Sequence, residues 1–115
     1  MFLNKTADKL VYQFLNKITN GYLEITTFEG NFLKFGNPNN VLKANIIIKN
    51  PNFNYNLIRG GSIGFAESYM RGEFETNNLS DLIELTARNI NLIYKFAGLL
   101  DLPILNFVKN KIIKN

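Results

Sequence analysis

The sequence predicts an α+β fold: a small, mostly antiparallel sheet with helices packed on one face. Three observations predict it. Residues up to Ile18 repeat with helical periodicity. Tyr22 to Lys49 then falls into three short runs rich in β-branched and aromatic residues. The rest returns to helical patterning, punctuated by glycine and proline.

Leu3, Ala7, Leu10, Val11, Phe14, Leu15 and Ile18 share one helical face, and Lys5, Asp8, Lys9, Gln13 and Lys17 occupy the others. Asn20-Gly21 ends this helix, because both residues tolerate the left-handed backbone of a helix C-terminus. Tyr22 to Phe28 reads as a strand, Glu29-Gly30 as a turn, and Asn31 to Phe35 as the return strand of a hairpin. Gly36 to Asn40 is a loop. Lys43 to Lys49 is a third strand, whose consecutive Ile46, Ile47 and Ile48 imply burial on both faces.

Asn50-Pro51 opens a short helix, asparagine as cap and proline in the first turn, with Phe53, Leu57 and Ile58 toward the core. Gly60-Gly61 stops it, Ser62 opens a second short helix through Met70, and Gly72 stops that. Glu73 to Thr76 reads as a fourth strand. Asn78, with Asp81 three residues later, resembles a capping box. The helix it starts carries Leu79, Leu82, Ile83, Thr86, Ile90 and Ile93 on one face. From Tyr94 the chain is apolar and basic and is divided at Pro103. Ile104, Leu105, Val108 and Ile112, with Lys109, Lys111 and Lys114, form a basic amphipathic helix. Residues 1–98 are read as the domain and 99–115 as its tail.

Composition narrows the function. Hydrophobic residues are 46% and charged residues 19%, which suits one packed core and not a disordered chain. With neither cysteine nor histidine, thiol catalysis, the usual general base and the commonest transition-metal ligand are all missing. The net charge of +4 suits contact with an anionic surface, though many soluble domains are as basic. The most apolar stretch, Ile90 to Val108, contains Lys95, Asp101 and Pro103, so a membrane-spanning helix is not expected there. The N-terminus lacks the apolar core of a signal peptide. The expected location is the cytoplasm, with contact at most peripheral to the inner face of the membrane.

The stretch GGSIGFAESYMRGEFETNNLSDLI, Gly60 to Ile83, carries the sequence's most specific pattern, centred on Ala66-Glu67-Ser68-Tyr69-Met70-Arg71-Gly72. Upstream, Gly21 to Phe28, Glu29-Gly30, Phe35-Gly36 and Ile46 to Phe53 fall in matching order. Together they resemble the N-terminal domain of cyclopropane-fatty-acyl-phospholipid synthases, over roughly residues 20 to 90, and more loosely the sterol carrier protein fold. The resemblance implies a non-catalytic domain that engages phospholipid and docks on a methyltransferase domain. That second domain uses S-adenosylmethionine to add a methylene carbon across an acyl double bond. No catalytic or cofactor residue of the family carries over onto this chain. Gly60-Gly61-Ser62-Ile63-Gly64 follows a helix rather than a strand and lacks the spacing of a nucleotide loop. The expectation is therefore a chain that is not itself an enzyme, with the methyltransferase domain missing or on a separate chain.

The residues expected to touch lipid or the partner domain are Phe65, Glu67, Tyr69, Met70 and Arg71. Each has a plainer reading. Glu67 and Arg71 are four apart, in the order that favours a helical ion pair. Phe65, Tyr69 and Met70 have the spacing of core residues. The glycines most simply permit turns. The basic tail reads either as the start of an interdomain linker or as a segment lying on anionic membrane. A stand-alone lipid carrier and a homodimer formed through Ile90 to Val108 are the alternatives. Nucleic acid is not an expected partner, because the lysines are not interleaved with a stacking platform.

Overall fold

In the computed structural model, residues 2–99 are described. The predicted C-terminal amphipathic helix and all but the first residue of the tail lie outside that range. The elements run α1 (Phe2–Leu15), β1 (Tyr22–Thr26), β2 (Phe32–Gly36), β3 (Lys43–Ile48), α2 (Phe53–Met70), β4 (Phe74–Glu75), α3 (Leu79–Arg88) and α4 (Ile90–Leu99). This is the α+β architecture that the sequence predicts. No helix of the described residues is long and apolar enough to cross a membrane.

The sheet order is β2-β1-β3-β4. β1 pairs antiparallel with β2, and β3 antiparallel with β4, but β1 and β3 are parallel. The sheet is thus mixed. The hairpin returns the chain to the start of β1, and the loop that follows β2 crosses that end before β3 sets off in the direction of β1. Two bonds hold the crossing: the Tyr22 amide donates to the Leu42 carbonyl at 3.0 Å, and Asn40 Nδ2 donates to the Gly21 carbonyl at 3.3 Å.

Register separates the faces. Leu23 lies opposite Phe35 and Ala44, Ile25 opposite Leu33 and Ile46, and Ile48 opposite Phe74. With Phe53, Leu82, Leu85, Leu42 and Ile18 these residues form the core. Full burial of a Phe or Leu side chain contributes roughly 1.5–3 kcal/mol, so this one face supplies most of the driving force. Glu24, Lys34, Lys43 and Glu75 occupy the other face and are exposed. The isoleucine run divides accordingly: Ile46 and Ile48 are buried and Ile47, on the outer face, is only half-buried.

α1 buries Ala7 and Val11, and Tyr12 stacks on Phe35 at 6.2 Å. The helix-break signal at Gly60-Gly61 is realised as a kink. Gly61 (φ 57, ψ −136) leaves helical geometry, in a region that only glycine enters without strain, and splits α2 into two helical segments. The second segment crosses the first closely: a Cβ on Gly64 would sit 2.8 Å from the Asn56 carbonyl oxygen. The start of α2 lies later than the sequence suggests. Asn50 Oδ1 accepts from the Asn52 amide at 2.8 Å, a turn that precedes the helix, and Asn52 is the cap.

The helix predicted to run from Asn78 through Ile93 is two helices. Its start is as expected, with Asn78 Oδ1 accepting from the Asp81 amide at 3.0 Å. It breaks at Asn89, a buried residue whose Nδ2 donates to the carbonyls of Asn20 (2.7 Å) and Leu85 (2.9 Å). Asparagine offers the backbone this local alternative to helical continuation. The single apolar face therefore does not persist: Leu82 and Leu85 are buried, whereas Ile83 and Ile93 are exposed.

Candidate functional site

The segment from Gly60 to Glu75 forms one unit: the kinked second half of α2, a tight turn, and β4. The turn follows from its residues. The Gly72 amide donates to the Tyr69 carbonyl (3.1 Å) and the Glu73 amide to the Ser68 carbonyl (2.9 Å). Gly72 is left-handed (φ 72), so the pair makes a Schellman close of the helix.

Side chains lock the same turn. Glu73 accepts from Ser68 Oγ at 2.7 Å, from Arg71 Nε at 3.0 Å and from Asn56 Nδ2 at 3.3 Å. Its carboxyl is held below the usual range, first by the Arg71 bond, against burial, with Ser68 and Asn56 adding. Arg71, raised in turn by Glu73, also reaches Glu67 at 3.7 Å, the helical pair expected from the sequence. Ser68 is wholly buried and donates a hydrogen bond to Glu73, so its hydroxyl pins the turn and is closed to solvent.

Of the five site residues expected from the sequence, the structure draws Glu67 and Arg71 into this lock. Phe65 is half-buried and stacks on Phe74 at 5.0 Å, within a cluster that includes Phe53 at 5.1 Å from Phe74. Tyr69 touches the same ring at 5.6 Å but is 43% exposed, and Met70 is 76% exposed. With Ile63 at 59%, they put apolar surface on the outside of the second segment. The five residues therefore do not converge on one pocket.

Glu73 and Ser68 are the members that sequence reasoning missed. The signal was present: a serine and an arginine four and one residues before the helix-ending glycine, and a carboxylate just after it.

The kink leaves an open cleft of about 230 Å³, lined by Asn56, Arg59, Gly60, Gly64, Glu67 and Arg71. The Arg59 guanidinium lies 5.7 Å over the Tyr55 ring. Arg71 is already committed to Glu67 and Glu73, so the cleft is polar but close to neutral. Among the described residues, no group of three or more His, Cys, Asp or Glu is placed to hold a metal ion.

A second polar cluster joins α1 to α2. The buried Asn54 donates to Asp8 Oδ1 at 2.9 Å. Burial raises the Asp8 carboxyl, with the Asn54 bond opposing, and pushes the Tyr12 phenol up to about 12. This cluster bridges helices and lines no part of the cleft.

Comparison with family models, with curated proteins and with solved structures finds no match to this chain.

Proposed function

We propose that this chain is the non-catalytic, phospholipid-engaging and docking domain of an S-adenosylmethionine-dependent cyclopropane-fatty-acyl-phospholipid synthase. The observation that carries this reading is the division of labour in the 60–75 segment. Its polar members, Ser68, Arg71 and Glu73, are spent on holding one turn. Ile63, Tyr69 and Met70, which that lock does not require, are left outside on the second segment of α2. A helix with outward apolar side chains suits contact with another surface, either a partner domain or acyl chains. The motif's resemblance to the family supplies the identity of that surface, the methyltransferase domain and its lipid substrate.

In this reading the chain contributes binding and orientation, and the S-adenosylmethionine chemistry belongs to the partner. Neither cysteine nor histidine is present to act as nucleophile or base. The test is co-elution of the purified chain with a separately expressed methyltransferase domain of the family, with and without phospholipid vesicles. A complex is expected, and loss of it in Met70→Glu. Failure to bind either the domain or vesicles would remove the proposal. Stoichiometric lipid in a solvent extract of the protein alone would mark a stand-alone carrier instead.

A further inference from the structure

We infer that the end of the sheet where β1 and β3 begin is a docking face for an anionic phospholipid bilayer. It is distinct from the α2–β4 segment. Several hydrogen bonds gather this end: Asn40 to Gly21, Asn89 to Asn20, and Tyr22 to Leu42. They bring together the end of α1, the loop that precedes β3, and the α3–α4 junction.

The charge there is one-sided. Lys17 follows α1, Lys43 opens β3 and Lys95 lies in α4, and all three are exposed. The Lys17 ammonium is 5.5 Å from the Phe14 ring centroid, Phe14 packs on Phe96 at 4.3 Å, and Lys95 precedes Phe96 in α4. Among the described residues none of the three lysines is ion-paired within 4.0 Å. Of the nearby carboxylates, Glu84 is bound to Arg88 at 3.3 Å, and Glu24, two residues into β1, accepts from the Tyr22 hydroxyl at 3.0 Å. The other end of the sheet is different. There Lys49 pairs with Glu75, and Arg71 with Glu73 and Glu67.

Apolar side chains are interspersed with the unpaired lysines. Val41 is fully exposed in the bend just before β3, and Ile93 and Tyr94 are 38% and 39% exposed in the first turns of α4. Uncompensated lysines beside short apolar side chains and a tyrosine suit a headgroup layer, where charge is attracted and small apolar groups insert. Beyond α4 the sequence continues the pattern with Lys109, Lys111 and Lys114. A single-stranded nucleic acid would need stacked aromatic platforms, and here Phe14 and Phe96 stack on each other.

The inference rests on the phospholipid reading only for its choice of surface. Its test is co-sedimentation of the full chain with vesicles of phosphatidylcholine alone or mixed with phosphatidylserine. Binding is expected only with phosphatidylserine, and is expected to fall away at high salt. The triple variant Lys17→Gln/Lys43→Gln/Lys95→Gln should bind on the order of 100-fold more weakly, about fivefold per lysine. Lys5→Gln/Lys9→Gln, in the first and middle turns of α1, should stay within about threefold. Equal loss in both variants would overturn the assignment, since net charge alone would then explain binding. Equal binding to phosphatidylcholine, or displacement by a single-stranded oligonucleotide, would also overturn it. Vesicle binding can stand while docking on a methyltransferase domain fails, and the converse, so the two readings fail separately.

Discussion

Replacing Glu73 with alanine should cost about 2–4 kcal/mol of folding stability, because one carboxylate closes the helix–strand turn. Three partners lose it. The largest loss is at Ser68, which has no access to water; stranding a buried hydroxyl costs roughly 1–3 kcal/mol. Arg71 is half exposed and recovers water, so its ion pair adds little. Asn56 is half-buried and contributes least. Urea denaturation of wild type and of Glu73→Ala, Ser68→Ala and the double variant measures these terms. The double variant should cost less than the sum, by roughly 1–2 kcal/mol, since removing Ser68 also removes the stranded group. Glu73→Gln, which keeps an acceptor, should cost about 1 kcal/mol.

Acid adds an independent check. The folded carboxyl of Glu73 is depressed, so its contribution is full above its ordinary value of 4.5 and is lost as pH falls through the folded value. The gap between wild type and Glu73→Gln should therefore narrow below about pH 4.5. Asp8 is raised and acts in the opposite sense, but it is common to both proteins and cancels in the difference. A Glu73→Ala protein within about 0.5 kcal/mol of wild type would show that this carboxylate does not hold the turn.

Other expectations follow from single positions. Gly36 is left-handed (φ 87), and a Cβ there would fall 2.3 Å from the Gly21 carbonyl oxygen, so Gly36→Ala should cost roughly 2–4 kcal/mol in denaturant melts. Gly30 is equally left-handed (φ 93) with nothing within 4 Å of that point, so Gly30→Ala should lose only about 1–2 kcal/mol. Asn89→Ala should cost about 1–2 kcal/mol, and faster amide exchange at the α3–α4 junction would show where. Met70→Glu should leave the melting temperature unchanged within about 2 °C while weakening docking on the methyltransferase domain.

Much of this architecture was legible in the residues because local chemistry decided it. The Asn78–Asp81 spacing identified a helix start, Gly60-Gly61 identified a break, and Glu29-Gly30 identified a hairpin turn. Pairings between distant segments were not legible. Nothing in Lys43 to Lys49 says that it lies parallel to β1, since that follows from where the preceding loop crosses. Asn89 reads as an ordinary helix residue until Asn20, far away in sequence, supplies its second acceptor. The candidate site shows the same limit. The Glu67–Arg71 pair was visible in its four-residue spacing, whereas Glu73 as the shared acceptor depended on how Gly72 turns the chain.

The most direct measurement is methyl-group transfer from radiolabelled S-adenosylmethionine into unsaturated phospholipid vesicles. It compares this chain alone, a methyltransferase domain of the synthase family alone, and the two mixed. A docking domain without its own chemistry should give no label in lipid by itself, and more label in the mixture than the catalytic domain gives alone. Label incorporated by this chain alone, or a mixture no better than the catalytic domain, would contradict that role.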